Sequence, residues 1–193
     1  MSSNVGPDSP PFVEGAIAGA AAWIVGYVLT AVVVLTRMEG SELGEISEAT
    51  GDGGSGIEFI GWVFFNSHFV DTIVEAGFLG IGGARSVSFI GGDGFTPLLY
   101  VIPVALLVGA GIAVARSGGV SGTTAGAVAG LSVVPPYLVL SALGAVLFRV
   151  STEALGANFS GEPELLSALL LAGVVIPAVF GALGGILAAN TAN

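Results

Sequence analysis

Four apolar runs, each long enough to cross a lipid bilayer, take up most of this 193-residue chain. The first is Phe12–Thr36, and within it Gly15–Thr36 holds 22 residues without a charge, where about 20 suffice to span the hydrocarbon core. The others are Pro97–Ala115, Ser121–Phe148 and Pro163–Ala189. A secretory signal would have a basic start and a shorter run. Residues 1–11 hold no Lys or Arg, so the first run reads as a retained membrane helix. The fold class expected is an all-α membrane protein, a single domain built on a bundle of four transmembrane helices, with room for a fifth.

Composition closes the alternatives. Only 9% of residues are charged, against about 25% in a soluble domain, and the mean hydropathy is +0.94. A soluble enzyme, a disordered chain and a disulfide scaffold are excluded. With no Cys there is no disulfide, zinc ribbon, iron–sulfur cluster or thiol nucleophile, and one His (His68) supplies no multi-histidine metal or haem site. No cofactor, no metal and no enzymatic activity are expected.

Fourteen carboxylates face four Arg and no Lys. Excess carboxylate keeps a protein soluble in concentrated salt, where screening shortens self-repulsion. The pattern reads as an extreme halophile, a haloarchaeon. Nucleic acid and anionic lipid surfaces are poor partners for such a chain. The partners expected are the bilayer itself and, within the cell membrane, a second copy or another membrane protein.

The helix ends are punctuated. Thr96 precedes Pro97 and Glu162 precedes Pro163, and Pro is favoured in a first turn. Arg37, Arg116 and Arg149 each follow an apolar run directly, where a cation complements the helix dipole on either side of a membrane. The count of positive charges therefore says little about orientation.

Ile57–Leu79 reads in three ways. On a wheel of about 100° per residue, Glu58, Gly61, His68, Asp71, Thr72 and Glu75 share an arc of roughly 140°, with Asn66 and Ser67 off it. That describes an amphipathic helix lying in the interface or crossing with its polar face inward. The third reading is a short helix to about Val70 followed by a hairpin through the Gly-rich link Gly77–Gly83. A partly inserted segment is preferred to a full fifth span. Glu39–Gly56 and Ser151–Glu162 are expected as acidic loops, since Glu residues three apart repel on a helix. The second holds a sequon at Asn158, a candidate N-glycosylation site that agrees with an outward-facing loop.

Two pairs of segments repeat: GAIAGAAA from Gly15 with GTTAGAVA from Gly122, and Val101-Ile102-Pro103 with Val175-Ile176-Pro177. If 57–79 does not span, the halves form a parallel two-plus-two duplication. GxxxG spacing at Gly15/Gly19, Gly122/Gly126/Gly130 and Gly181/Gly185 suits close helix packing inside one chain better than a dimer face. Pro135 and Pro136 must break or kink the third run. Ser132, Tyr137 and Ser141 stand ready to satisfy freed carbonyls. The titratable residues away from loops and helix ends are His68, Asp71 and Glu75, with Glu58. On a helix they would form one polar face, a candidate site for a cation or a proton, although a water-facing stripe accounts for it more simply.

VEGAIAGAAAWIVGYVLT, GWVFFNSHFVDT and LLYVIPVALLVGAGIAVA resemble an uncharacterised family of haloarchaeal integral membrane proteins. The resemblance implies a membrane location and that source. Members bear generic labels, sometimes "transporter", and no functional residue carries over. The expected function is a non-enzymatic accessory or structural component of a halophile's cell membrane. The alternative is a small transporter or channel subunit using the Pro-broken helix and the His68/Asp71 face.

Overall fold

The computed structural model describes residues 11–50, 56–79, 81–92 and 94–191. In chain order the elements are α1 (Phe12–Leu35), α2 (Glu42–Thr50), α3 (Gly56–Asn66), β1 (Thr72–Phe78), β2 (Ile81–Val87), a 3-10 turn Pro97–Tyr100 leading into α4 (Val101–Ser117), α5 (Thr123–Leu131), α6 (Val134–Leu147), β3 (Val150–Ala154), β4 (Ala157–Pro163), α7 (Leu165–Ser167), a π-helical turn Ala168–Val175 and α8 (Ile176–Thr191). Four continuous helical stretches are long and apolar enough to cross a membrane: Phe12–Leu35, Pro97–Ser117, Thr123–Leu147 and Leu165–Thr191.

Residue-to-residue contacts give the helix directions. Gly15 meets Ser132, Gly19 meets Val133 and Pro136, and Gly144 meets Trp23, so α1 and α6 run the same way. Gly118 meets Pro11 and Gly26 meets Leu106, so α4 runs against α1. Gly126 faces Gly185 and Gly130 faces Gly181, so α8 runs against α5. These are the directions a parallel duplication requires. Residues 36–96 and 148–164 consequently leave and re-enter the bundle at one end, called the cap end here, and the short link 118–122 lies at the other.

Glycine closes the bundle. A Cβ on Gly111, Gly130 or Gly185 would collide with a backbone carbonyl of the facing helix, Gly181 O in the first two cases and Gly126 O in the third. Such approach lets backbones pack directly where lipid offers no hydrophobic drive for helices to associate. Of the glycines marked in the sequence, Gly126 and Gly130 face Gly185 and Gly181 within one chain, while Gly15 and Gly19 face Ser132, Val133 and Pro136. Pro135 and Pro136 fall at the start of α6, so the third stretch breaks into α5 and α6, with Ser132 Oγ donating to Ala129 O at 2.5 Å. Pro177 follows the π-helical turn, whose wider winding accommodates a residue that cannot donate to the preceding turn.

The chain is not all-α. The cap carries a four-stranded antiparallel sheet in the order β2-β1-β4-β3, with Thr72 opposite both Val87 and Pro163. Ser151–Glu162, expected as a loop, forms the β3–β4 hairpin that joins α6 to α7. The stretch 57–79 neither spans nor continues as one amphipathic helix. It stops at Asn66, and β1 is held on both sides by hydrogen-bonded neighbours. The expected loop 39–56 contains α2, despite the spacing of its acids. Ser41 Oγ accepts from Gly44 N at 3.0 Å, and Leu43 is fully buried beneath the helix. An exposed ion pair, Arg85 to Glu42 at 2.8 Å, adds little by comparison. Residues 51–55, with Asp52, lie outside the described residues.

At the helix starts, Thr96 accepts from Leu98 N as its sequence position suggested. Glu164 caps the last stretch, its two oxygens accepting from Leu166 N at 3.0 Å and Ser167 N at 2.7 Å. The Ser167 side chain, together with these two backbone bonds, holds its carboxyl below the ordinary range against the opposing effect of burial. Ser9 before Pro10, a further proline-marked start in the sequence, lies outside the described residues.

The glycine contacts predict a contrast. Gly185→Val forces two backbones apart and costs about 3 kcal/mol or more. Gly109→Ala, on α4 with nothing within 4 Å of the new methyl, gains about 0.5–1 kcal/mol. Thermal unfolding in detergent measures both, and equal effects would refute the packing argument.

A candidate functional site at the junction of cap and bundle

α3 lies against the bundle through its aromatic residues and ends in a backbone closure. His68 N and Val70 N both donate to Phe65 O, at 2.9 and 3.1 Å, and Phe69 N donates to Asn66 O. Phe69 takes the left-handed conformation, φ 59°, that terminates many helices, usually with Gly. Its ring turns outward and stacks on Tyr100, with centroids 4.7 Å apart and planes at 9°. His68, one residue earlier, turns inward and is completely buried.

The partners of His68 determine its tautomer. Nδ1 lies 2.9 Å from Phe64 O, and a carbonyl only accepts, so Nδ1 carries the proton. Nε2 is then the acceptor, and the Tyr137 hydroxyl donates to it at 2.7 Å. Ser67 Oγ also donates to Phe64 O, at 2.6 Å, and lies 3.3 Å from Nδ1. The Phe64 ring stands edge-on to the imidazole at 4.7 Å. Burial pushes the His68 pKa from 6.5 down to about 4, opposed only in part by the bond to Phe64. The ring is therefore neutral, and it fastens α3 to α6.

Asn66 does the same work for the sheet. Its amide donates to Val70 O at 2.8 Å and reaches Thr72 Oγ1 at 3.4 Å, and its carbonyl oxygen accepts from Phe89 N at 2.8 Å. Two further buried bonds tie the cap and α6 to neighbouring helices: Trp62 Nε1 to Phe148 O at 2.7 Å and Trp23 Nε1 to Ser141 Oγ at 3.2 Å. Tyr137 and Ser141 bond outward to these aromatics rather than to carbonyls freed by the proline break. Ser132 Oγ bonds to Ala129 O, which also accepts from Ser132 N, so none of the three meets a carbonyl freed by Pro135 or Pro136.

The expected polar face of His68, Asp71 and Glu75 is not assembled. His68 points into the core, while Asp71 is exposed at the start of β1 and accepts from Ser86 Oγ at 2.7 Å. Glu75 is exposed two positions beyond Ile73, on the outer face that Asp71 shares. The i,i+3 relation assumed a helix that has already ended. Asn158, the sequon residue, sits exposed on central strand β4 between Gly77 and Glu153, in a sheet rather than a loop. Tyr137 and Asn66 were the residues the sequence under-read. The signal was the Asn66-Ser67 pair, which fell off the polar arc because both side chains are buried at a helix end.

Chemically the junction is a closed set of hydrogen bonds. Among the described residues no buried side-chain nitrogen or oxygen lacks a partner, and no group of three His, Cys, Asp or Glu is placed to hold a metal. Clefts lie elsewhere in the cap. One of about 310 Å³ runs between Ser41–Leu43 on one side and Ser88, Phe89 and Phe95 on the other, and another lies on the sheet beside Glu75 and Asn158.

The depressed pKa of His68 has a definite consequence. An unfolded chain protonates His68 near pH 6.5, whereas the folded chain holds it neutral down to about 4. Its contribution is complete above 6.5 and falls away as pH drops through that window, by roughly 3 kcal/mol at the acid end. His68→Gln removes this component, so the stability gap between wild type and variant shrinks from about pH 7 to 4.5. A gap independent of pH would contradict the assignment. Tyr137→Phe leaves Nε2 without a donor and costs about 1–3 kcal/mol, read by the same unfolding measurement at neutral pH.

A family model described as a family of unknown function, DUF7978, matches residues 2–192. No curated protein and no solved structure matches the chain.

Proposed function

We propose, for a chain that belongs to the DUF7978 family of unknown function, a non-enzymatic accessory or structural role in the cell membrane. In this reading the four apolar stretches cross the bilayer, and the cap stands on one side of it. The observation that carries the role is the closed interior: facing helices meet backbone to backbone at Gly111, Gly126, Gly130, Gly181 and Gly185, and the buried histidine is enclosed and fully bonded. A carrier needs a site with an entrance and polar groups that exchange partners. Here His68, one of the pair a proton or cation path would use, is buried in the core, while Asp71, the other, is exposed and bonded to Ser86. The absence of Lys beside fourteen carboxylates supports a high-salt habitat.

Two measurements test this reading. Cysteine accessibility is clean because the chain has no Cys of its own. Ser47→Cys, Ser88→Cys and Ser151→Cys label from one face of the membrane, and Ser121→Cys labels from the other. Labelling of Ser47→Cys and Ser88→Cys from opposite faces would overturn the arrangement. In liposomes the purified protein shows no proton or cation flux above empty vesicles. A flux abolished by Asp71→Asn, with folding intact, would replace the accessory role with transport.

A further inference from the structure

In sequence the same dipeptide, Leu-Gly, links the strands of both hairpins: it occupies positions 79–80 between Phe78 and Ile81, and 155–156 between Ala154 and Ala157. Two-residue hairpin turns of the favoured kind need positive φ and select Asn, Asp or Gly. Here Leu79 has φ 52° and Leu155 φ 50°, a left-handed conformation that a leucine adopts at a cost in strain. Neither leucine recovers that cost by burial, since they are 73% and 99% exposed. Strained residues that a fold does not need mark functional surfaces.

The two turns sit side by side. Leu79 N donates to Gly156 O at 2.8 Å, and the Leu79 side chain lies against Gly156. With Phe78, 57% exposed, and Ile81, 83% exposed, they make one apolar tip. No ionisable residue occurs in 76–84 or 154–161. The sheet buries Thr72, Val74, Gly161 and Pro163 at its base and is largely exposed from Ala76 onward. Since β3 and β4 join the end of α6 to the start of α7, the tip is the part of the hairpin farthest from both helix ends. Six strand steps place it about 20 Å away.

We infer that this tip is a docking knob for a protein partner with an apolar groove rimmed by basic residues. The inference deepens the accessory role and rests on it. The cap segments 37–96 and 148–164 hold twelve of the fourteen carboxylates against three arginines, two of which are paired with Glu42 and Glu162. Exposed Glu75 and Glu153 stand just behind the uncharged tip, so the complementary surface is apolar at its centre and cationic at its edge. A second copy would present the same acidic surround. Four side chains also fall short of the roughly 800 Å² per partner of a stable flat interface, so the partner must enclose the knob.

The test uses the full chain in its native membranes. A diazirine leucine analogue at position 155 gives one discrete protein adduct, whose cross-linked residue lies among apolar side chains bordered by Lys or Arg. The same analogue at Val139, on the outer surface of α6, gives lipid adducts. The double variant Leu79→Asn, Leu155→Asn relieves both turns, so its thermal midpoint rises while co-purification of that partner drops at least tenfold. An adduct to a second copy or to lipid from position 155, or a partner retained by the double variant, overturns the inference. The accessory role fails separately, through a flux sensitive to Asp71→Asn, whatever the tip does.

Discussion

Trp62 is where helices and sheet become one object. Its buried indole N–H needs an acceptor, and it finds Phe148 O, a carbonyl just past the end of α6 that no later turn of helix satisfies. The ring lies over Gly161 of β4, where a side chain would collide with it, while neighbouring Gly61 receives the ring of Phe148. One hydrogen bond and two missing Cβ atoms thus dock α3 on the end of α6 and seat the sheet on α3. Around them Trp23, Tyr27, Phe64, Phe65 and Phe148 pack within about 5–7 Å of one another. The position of the sheet, and of everything it carries, follows from that joint.

In such an apolar chain the few buried polar side chains are informative because each must be satisfied. Asn66, Ser67, His68, Thr72, Tyr137 and Ser141 are all buried, and all take part in bonds that cross from one element to another or close the end of α3. They act as register pins. Apolar surfaces of α3 and α6 would slide past each other with little penalty, whereas a neutral imidazole that must accept from one particular hydroxyl permits a single alignment.

The apolar runs were legible in the sequence because their signal is local: length, absence of charge, and a proline or a cap at one end. The intramolecular use of Gly126, Gly130, Gly181 and Gly185 was legible for the same reason. The sheet was not. β2 is Ile81-Gly82-Gly83-Ala84-Arg85-Ser86-Val87 and β4 is Ala157-Asn158-Phe159-Ser160-Gly161-Glu162-Pro163, weak strand sequences that exist because β1 and β4 meet across some eighty residues. Propensity is silent about such a meeting. The short-helix-then-hairpin reading of 57–79 was available, but the polar arc favoured a longer helix. Asp71 and Glu75 fitted that arc by coincidence, since outward positions of a strand accept them equally well. The misplaced Asn66 and Ser67 carried the better information.

Three non-glycine residues among those described have positive φ: Phe69, Leu79 and Leu155. Phe69 has a compensation inside the chain. Its conformation closes α3, and its exposed ring is stacked on Tyr100 at the start of α4. The leucines have no equivalent. Asn at either turn would satisfy the backbone better and the solvent better, so neither folding nor solubility explains Leu. Two hairpins of different origin along the chain carry the same exception and are tied to each other at Leu79 and Gly156. That coincidence is hard to obtain from turn formation alone, and it directs attention from the closed bundle to the far end of the sheet.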